Sequence, residues 1–430
     1  MPKSMSTSRN VLSSRCQCVR VHRVKSTVAP KTKACVTCGP GVPSTDMIEP
    51  TSARLMTPAF VALTLSDLAY FSSTGVLLAV TPLFVTGPLG AQDAGVGLAM
   101  GSFSVTTLVL RPLAGRWSDR RGRRALLVGG AALFAVGVLG HYLVTGMVTL
   151  VALRLFLGAA EALYFVAGFA ALADLAPAGR EGEALSLNSL ALYLGVAIGP
   201  LLGQGLLRWG GFSLAWAGAG ALAALAAVLA TRVPETRPTV APGAAPGTLL
   251  HRAAIVPGLG LFCGVAGISG FLAFAVLQAR AVGMDAWSVV LLVFGATVVL
   301  CRVAFARLPD RVPPLPLAAA ALGAASTGFL AIGTIRTPAG LVAGAAILGV
   351  ANAFLTPAIF AAVFAAVPAA ERGSAAATTS IFIDLGLGGG PMLVGLIAAA
   401  TSVPAAFVLL PALPIAGGMV LLTAATREPQ

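Results

Sequence analysis

Apolar segments of about 20 residues recur along this chain, and they limit the folds that it can adopt. Of its 430 residues, 57% are hydrophobic and 10% are charged, whereas soluble domains carry about 25% charged residues. A helix of roughly 20 apolar residues spans a bilayer and satisfies its own backbone hydrogen bonds there. Twelve such segments are centred near Tyr70, Ser104, Phe134, Leu163, Tyr193, Ala221, Val265, Val293, Ala325, Asn352, Leu387 and Ile415. The sequence therefore predicts an all-α membrane protein with 12 transmembrane helices.

The arginines between the apolar segments predict how the chain is oriented in the membrane. Loops on one side hold thirteen of them, and loops on the other side hold three, Arg208, Arg280 and Arg336. Because basic loops stay in the cytoplasm, both termini are expected there, in a multi-pass protein of the cell membrane. Arg111 and Arg302, near the cytoplasmic ends of their helices, are expected to extend to the membrane surface. The net charge of +13 follows this loop pattern and a basic N-terminal tail, so nucleic acid is not an expected partner.

The two halves of the chain repeat each other at an offset of 191 residues. The offset pairs Arg111 with Arg302, Asp119 with Asp310, Arg120 with Arg311, Gly195 with Gly386, Gly199 with Gly390 and Pro200 with Pro391. A repeat spanning several helices predicts two pseudo-symmetric six-helix bundles with a site between them near the middle of the membrane. The bundles are expected at 57–231 and 253–426, joined by a flexible cytoplasmic linker at 232–252 that is rich in Pro, Gly and Thr.

A basic stretch between the second and third apolar segments, Arg111 to Arg124, carries a more specific signal. Charges this dense must lie in a short connection at a membrane surface. The stretch resembles the loop between helices two and three of the major facilitator superfamily, at Gly115, Ser118, Asp119, Arg120, Gly122, Arg123 and Arg124. Trp117 stands where that family usually carries Leu. The resemblance covers about residues 57–426 and implies a secondary transporter that works by alternating access.

The same motif has a mechanical interpretation as a gate that closes the cytoplasmic side in the outward-facing state. Asp119 is expected to accept hydrogen bonds at the N-terminus of the eleventh helix, near Ser374. Arg120 and Arg123 are expected to pair with cytoplasmic acids, of which Asp174 and Glu181 are examples. The gate residues are Gly115, Asp119, Arg120, Gly122, Arg123 and Arg124, together with Asp310 and Arg311 in the second half. The alternative is that these charges only set the orientation of the chain.

Four charged residues lie well inside the apolar segments, where an ionised side chain is costly and indicates function. They are Asp67 in the first segment, Arg154 and Glu161 in the fourth, and Asp384 in the eleventh. Arg154 and Glu161 are seven residues apart and share one helix face. The stretch from Arg154 to Gly158 resembles the superfamily's fourth-helix motif, whose arginine serves proton transfer or substrate binding. We expect Asp67 and Glu161 to couple protons to conformation, with Arg154 as their partner. The alternative for these residues, and for Asp384 above all, is a static ion pair that fixes helix packing.

The fifth segment contains Gly195, Gly199, Pro200 and Gly203, which resemble the motif of the antiporter branch of the superfamily. The three glycines are four residues apart and line one helix face, where they allow a neighbouring helix to approach closely. Pro200 is expected to bend the helix. The alternative is generic packing of small residues, but the position of Pro200 within the motif favours export over import.

Other sequence features bear on partners. No lysine follows Lys33, so the chain lacks a Walker phosphate loop, and transport must use an ion gradient or run downhill. The cysteines at Cys16, Cys18, Cys35 and Cys38 have spacings that a zinc site can use. Their surroundings are polar, basic and without periodicity, so a disordered tail over 1–56 is expected instead, and no metal or cofactor. Translation from Met47 or Met56 is an alternative to that tail.

Together these features predict a monomeric, proton-coupled exporter of a small molecule, either a drug or a metabolite. Its partners would be that molecule, protons and the lipid bilayer. One alternative is a proton-coupled importer of a sugar or an organic anion. Another is a membrane sensor with the same fold that has lost transport. An enzyme is not expected, because no nucleophile and base are spaced for catalysis outside the membrane.

Overall fold

The computed structural model describes residues 55–177, 180–236, 250–305, 308–368 and 371–426, and every regular element in these ranges is helical. The first half contains α1 (Pro58–Thr86), α2 (Asp93–Arg121), α3 (Arg123–Leu139), α4 (Met147–Leu175) and α5 (Glu181–Ala230). The second half contains α6 (Ile255–Ala281), α7 (Ser288–Ala304), α8 (Leu308–Arg311), α9 (Pro314–Thr334), α10 (Pro338–Ala365), α11 (Arg372–Ala400), α12 (Val403–Leu409) and α13 (Ala412–Ala425). Each of the twelve predicted centres lies inside one of these helices.

Ten helices in the described ranges are long and apolar enough to cross a membrane, and α7 is a shorter apolar helix. The α12–α13 pair forms one of the ten, Val403–Ala425. Within α5 the backbone leaves helical geometry at Gly210 and Gly211, and Gly211 has a φ of 65°, which an L side chain rarely adopts. This break divides α5 into two limbs, 181–209 and 212–230, which correspond to the fifth and sixth predicted segments.

Local sequence explains where several helices begin. Thr57 accepts a hydrogen bond from the backbone N–H of Phe60 at 3.2 Å, and Pro58 occupies the first turn of α1. Thr337 caps α10 in the same way, accepting from Gly340 at 3.1 Å. A hydroxyl at the N-cap satisfies one orphan N–H, and proline has none to satisfy, so both residue types favour these starts.

The buried core has three parts. Each half of the chain has a core of its own, and residues of both halves form the third part. Tyr70, Phe134, Tyr164 and Trp216 lie in the core of the first half, and residues around Leu322 form a core in the second. A third cluster combines first-half residues such as Val96 and Leu150 with second-half residues such as Phe271, Phe294 and Phe329. The two halves are therefore joined by continuous apolar packing, not by the linker alone.

The most extensive contacts between the halves are those of α2 with α11 and of α5 with α7, and α1 and α2 also contact α6. A Cβ atom built on Gly97 of α2 would lie 3.1 Å from Cα of Gly395 in α11, and one built on Gly295 of α7 would lie 3.0 Å from Cα of Ala197 in α5. The same atoms would lie 2.5 Å from the backbone oxygen of Pro391 and 2.6 Å from Cβ of Ala197, so any larger residue would push the helices apart. The 191-residue offset carries α2 onto α7 and the first limb of α5 onto α11, so the two pairs are pseudo-symmetric equivalents.

We call the end of the molecule that carries the α2–α3 turn the motif end. Polar contacts close the opposite end. Gln204 of α5 donates to the backbone oxygen of Asp285 at 2.7 Å and accepts from the backbone N–H of Ser288 at 3.0 Å. Arg208 donates to the same oxygen of Asp285 at 3.0 Å. Asp285 lies between α6 and α7, so these bonds fasten the first half to the second at the opposite end.

The predicted domain boundaries stay a prediction. Helix α5 ends at Ala230 and α6 begins at Ile255, on either side of the expected linker, but the middle of that linker at 237–249 lies outside the described residues. The expected N-terminal tail, with Cys16, Cys18, Cys35 and Cys38, also lies outside them.

Candidate functional site

Asp67 is held inside the first half by donors from two other helices. Its Oδ1 lies 2.7 Å from the hydroxyl of Tyr164 on α4, and its Oδ2 accepts from the side-chain N–H of Asn188 on α5 at 2.6 Å. The same Tyr164 hydroxyl lies 2.9 Å from Oγ of Ser66, and Ser66 donates to the backbone oxygen of Ala226 at 2.9 Å. Asp67 is 6% exposed and Ser66 is fully buried. A continuous chain of oxygens thus connects α1, α4 and both limbs of α5.

Glu161 lies one helical turn from Tyr164 on α4 and faces an aromatic environment. Its Oε2 is buried and has no hydrogen-bond partner among the described residues, and the same holds for the hydroxyl of Tyr70. The charges that act on Glu161 come from Arg111, Asp384 and Asp67. The ring of Tyr70 stacks on that of Tyr164, with centroids 3.9 Å apart. The carboxyl of Glu161 lies near the hydroxyl of Tyr70, without an aligned hydrogen bond, and Asp67 lies beside the hydroxyl of Tyr164. The two carboxyls therefore lie on two sides of one aromatic pair.

Arg154 does not form the predicted pair with Glu161 or Asp67 in this structure. Its Nε donates to the backbone oxygen of Ala99 on α2 at 2.9 Å, and its guanidinium lies 5.0 Å from the ring centroid of Phe103. Seven residues separate it from Glu161, about 10 Å along the helix axis, so α2 is closer. Helix α2 comes within reach because a Cβ atom built on Gly158 of α4 would collide with the backbone oxygen of Phe103.

Asp384 pairs instead with Arg111, across the interface between the halves. An Nη atom of Arg111 lies 2.9 Å from Oδ1 of Asp384, whose side chain is 1% exposed. The contact is not aligned as a hydrogen bond, because both carboxylate oxygens lack a hydrogen-bond partner among the described residues. The guanidinium of Arg111 also lies 4.9 Å from the ring centroid of Phe165. The expectation that Arg111 extends to the membrane surface is therefore wrong, because a buried carboxylate holds it between the bundles.

Arg302 occupies the equivalent place on the other interface. Its Nη1 donates to Oγ of Ser189 at 3.0 Å and its Nη2 to the hydroxyl of Tyr193 at 3.5 Å. Its guanidinium lies 4.6 Å from the ring centroid of Tyr193. Ser189 and Tyr193 belong to α5, so Arg302 also points between the halves and not to the surface. The sequence held a signal for both contacts, since the offset that pairs Arg111 with Arg302 also pairs Tyr193 with Asp384.

The loop motif forms a compact turn at the motif end. Gly122 has a φ of 95°, which L side chains rarely adopt, and it ends α2 directly before α3 begins. Arg123 forms the predicted ion pair with Asp174 and donates to the backbone oxygen of Ala170 at 2.8 Å. The backbone N–H of Arg123 donates to Glu235 at 2.7 Å. A carboxylate at the N-terminus of α3 complements the helix dipole, and no motif in the sequence indicates this partner.

The structure shows where other gate residues lie, and their role as a gate stays a prediction. Asp119, Arg120 and Arg124 are exposed on the motif end, and the pairing of Asp119 with α11 near Ser374 stays a prediction. Arg311 is exposed in α8. The side chains of Asp310 and Glu181 lie outside the described part of the chain.

Comparison with known proteins decides the family. The family model described as Major Facilitator Superfamily matches residues 63–342. A relative, an uncharacterized MFS-type transporter of Burkholderia pseudomallei, is 32% identical over 392 residues, which cover 87% of this chain and 93% of the relative. The chain belongs to the Major Facilitator Superfamily. It is a multi-pass membrane transporter, and the resemblance first noted in the α2–α3 turn is confirmed.

Solved structures agree on the fold of this superfamily member. The human organic anion transporter MFSD10 (TETRAN) matches it with a TM-score of 0.66 at 21% identity, over 85% of this chain and 99% of that one. The nucleoside transporter NupG matches with a TM-score of 0.69 at 14% identity, over 85% and 99% of the two chains. The predicted all-α membrane fold of two pseudo-symmetric six-helix bundles is thereby confirmed.

In this transporter the glycines of the fifth segment pack against α1 of the same bundle. A Cβ atom built on Gly199 would lie 2.6 Å from Cα of Gly75, and one on Gly195 would lie 2.8 Å from the backbone nitrogen of Ser72. Gly203 faces Val80, at 3.1 Å. Pro200 lies inside the first limb of α5. The motif thus brings α1, which carries Asp67, into backbone contact with α5, which carries Asn188.

Proposed function

We propose that this transporter is a secondary active exporter that exchanges a small molecule for protons, with Asp67 as the proton-carrying group. The observation that supports this is the number of hydrogens available to the oxygen chain around Asp67. Four oxygens, from Ala226, Ser66, Tyr164 and Asp67, make three contacts of 2.7–2.9 Å. Each contact needs one hydrogen, and the carbonyl of Ala226 has none to give.

The available hydrogens are as many as the contacts only when Asp67 carries a proton. With Asp67 ionised, Tyr164 donates to it, and the single hydrogen of Ser66 can serve only one of its two neighbours. With Asp67 protonated, Asp67 donates to Tyr164 and Tyr164 donates to Ser66. Ser66 then donates to Ala226, and every contact is a hydrogen bond. This conformation therefore suits the protonated carboxyl, since buried oxygen pairs without a hydrogen are unfavourable.

Protonation of Asp67 would act on the packing of the first bundle. The oxygen chain fastens α1 to α4 and to the second limb of α5, and Asn188 adds the first limb. Loss of the proton removes one of these connections and places a charge at a buried position. An element with two alternative bonding patterns is what couples a proton to a change of conformation. Glu161, buried with an unpartnered oxygen, is the candidate for a second coupled proton.

The export direction rests on the resemblance of Gly195, Gly199, Pro200 and Gly203 to the antiporter motif. In this chain the motif holds α1 and α5 in backbone contact, beside the oxygen chain. Because α1 and α5 are in backbone contact, we expect protonation of Asp67 to move them together as whole helices. Replacing Asp67, Arg154 and Glu161 would leave function intact in a sensor without transport, and would abolish it in an exporter.

The test uses everted membrane vesicles with an acidic interior and four added compounds, ethidium, benzoate, lactose and arginine. A proton-coupled exporter accumulates its substrate in these vesicles and releases protons from them. Asp67→Asn is expected to reduce the accumulation at least tenfold, whereas Asp285→Asn, in an exposed connection, keeps it. Accumulation that Asp67→Asn leaves unchanged contradicts the role of Asp67. Accumulation only when the gradient is reversed identifies an importer.

A further inference from the structure

The two equivalent interfaces between the bundles carry different charges. On one, Arg111 of α2 lies 2.9 Å from the carboxylate of Asp384 on α11. On the other, Arg302 of α7 meets the hydroxyl of Tyr193 on α5 at 3.5 Å. The 191-residue offset relates Arg111 to Arg302 and Asp384 to Tyr193, so the same geometric position holds an anion in one interface and a neutral phenol in the other.

Arg302 consequently has a charge that no acidic side chain in the described ranges neutralises. Among the described side chains, the four ion pairs involve Arg111, Arg123, Arg180 and His251, and none involves Arg302. Its Nε is buried and has no hydrogen-bond partner among the described residues. An arginine at membrane depth is costly unless it is paired, and such a residue usually faces a substrate or ion pathway. Its symmetry equivalent, Arg111, has a carboxylate as its partner.

We propose that Arg302 and Tyr193 bind the carboxylate of the transported compound, which supplies the negative charge that Asp384 supplies beside Arg111. Ser189 accepts from Arg302 and holds the guanidinium in place. This inference rests on the proposed function, since it names the substrate class of that exporter as organic anions with a carboxylate. The guanidinium offers Nη1, Nη2 and Nε, and the hydroxyl of Tyr193 can turn to donate as well, whereas that of Ser189 already donates to Ser186. Donors arranged around a planar cation match a carboxylate, which accepts two parallel hydrogen bonds.

The geometry also explains why a cation is the wrong ligand for this cluster. Ser189 and Tyr193 each accept a hydrogen bond from Arg302. Ser189 gives its one hydrogen to the backbone oxygen of Ser186 at 2.7 Å, so the hydroxyl hydrogen that is left for a ligand is that of Tyr193. The ring of Tyr193 stacks close to the guanidinium at 4.6 Å and fixes its orientation. A protonated amine would meet like charge and no carboxylate, and like charges in a low-dielectric site repel strongly.

The test measures the thermal stability of the purified full chain in detergent with three carboxylates, benzoate, phenylacetate and indole-3-acetate. A ligand that binds the folded state raises Tm. At least one carboxylate is expected to raise Tm, whereas benzyl alcohol and benzylamine at equal concentration are not. Arg302→Gln is expected to weaken carboxylate binding at least tenfold, and Arg302→Lys less. Arg336→Gln, which removes an exposed arginine, keeps the wild-type response.

Tyr193→Asp is the sharper variant because it copies Asp384 into the second interface. It is expected to raise Tm without ligand, through a new Arg302 ion pair, and to abolish the response to carboxylates. Tyr193→Phe, which removes one hydroxyl, is expected to weaken binding about tenfold. Equal shifts from benzoate and benzyl alcohol, no shift from any carboxylate, or equal responses from Arg302→Gln and Arg336→Gln would each overturn the proposal.

The outcome separates this inference from the proposed function. Asp67→Asn is expected to keep carboxylate binding while it loses proton-driven accumulation. If proton-driven accumulation of another compound depends on Asp67 and no carboxylate binds, the anion site is wrong and the exporter stands. If carboxylates bind through Arg302 but accumulation ignores Asp67, the proton coupling is wrong and the anion site stands.

Discussion

At the scale of single residues, the buried charged side chains have different partners, and these partners indicate a different role for each. Asp67 has a hydroxyl at one oxygen and an amide N–H at the other, and Asp384 faces an arginine across the interface. Glu161 has a buried oxygen without an aligned hydrogen bond among the described residues. Arg154 is satisfied by the backbone of α2. A carboxyl whose neighbours can either give or accept a hydrogen suits proton exchange, and a carboxyl fixed by an arginine suits the closing of an interface.

The Tyr164 hydroxyl is the link that can be removed with the least change of shape. Tyr164→Phe leaves Asp67 Oδ1 and Ser66 Oγ each with one contact fewer in a buried site. We expect the free energy of unfolding to fall by about 1–3 kcal/mol, because buried polar atoms without partners are costly. Tyr142→Phe is the matched control. It also removes one tyrosine hydroxyl, which donates to the backbone oxygen of Ser213, but that site is exposed and leaves no buried atom without a partner. Chemical or thermal unfolding in detergent measures both, and equal losses would contradict the account.

Sequence reasoning found these residues but not all of their partners. Depth in an apolar segment is visible in one sequence, and it singled out Asp67, Arg154, Glu161 and Asp384. Pairing across helices depends on how far each helix is rotated and shifted, and one sequence does not contain that information directly. Arg154 was therefore assigned to its neighbour on the same helix face. The repeat held the missing information for Arg111, because two arginines related by symmetry must face equivalent helices.

At the scale of helices, glycine decides which pairs approach to backbone contact. Gly199 and Gly75 bring α5 onto α1, and Gly97 and Gly395 bring α2 onto α11. Apolar length predicted the long helices, because hydrocarbon requires each segment to satisfy its own backbone, but not the short helix α8 or the division of the last segment into α12 and α13. The break at Gly210 and Gly211 was expected only as a connection between two segments, and the structure shows it as a kink without an intervening loop.

Two glycines on the same limb of α5 provide a test of this packing. Gly199→Ala would place a Cβ atom 2.6 Å from Cα of Gly75, so α1 and α5 must separate. We expect a loss of about 1–3 kcal/mol in the free energy of unfolding, as for other overpacked contacts. Gly205→Ala meets no atom within 4 Å and is expected to be neutral or to stabilise the helix by up to about 1 kcal/mol. Similar values of Tm for the two variants would contradict this packing.

At the scale of the whole molecule, two similar bundles form two equivalent interfaces with unequal charge. The opposite end is closed by small residues and by Gln204, and the oxygen chain of the first bundle suits a protonated Asp67. The contacts that close one end are observed, and proton uptake inside the first bundle is proposed; the two involve different residues. They are connected through the α1–α5 pair, because α5 carries both Asn188, which bonds Asp67, and Gln204.

The most direct test of this connection is the distance across the opposite end as a function of pH. Spin labels at Trp209→Cys and Ala281→Cys, both exposed, are placed on a chain without native cysteines and followed by pulsed electron paramagnetic resonance. The fraction of molecules with the short distance should rise as pH falls, because this closed conformation suits the protonated carboxyl of Asp67. Glu183→Gln, which removes an exposed carboxylate, should keep that dependence, and Asp67→Asn should lose it. A pH dependence that persists unchanged in Asp67→Asn would contradict the central claim that this carboxyl couples protons to the movement of the bundles.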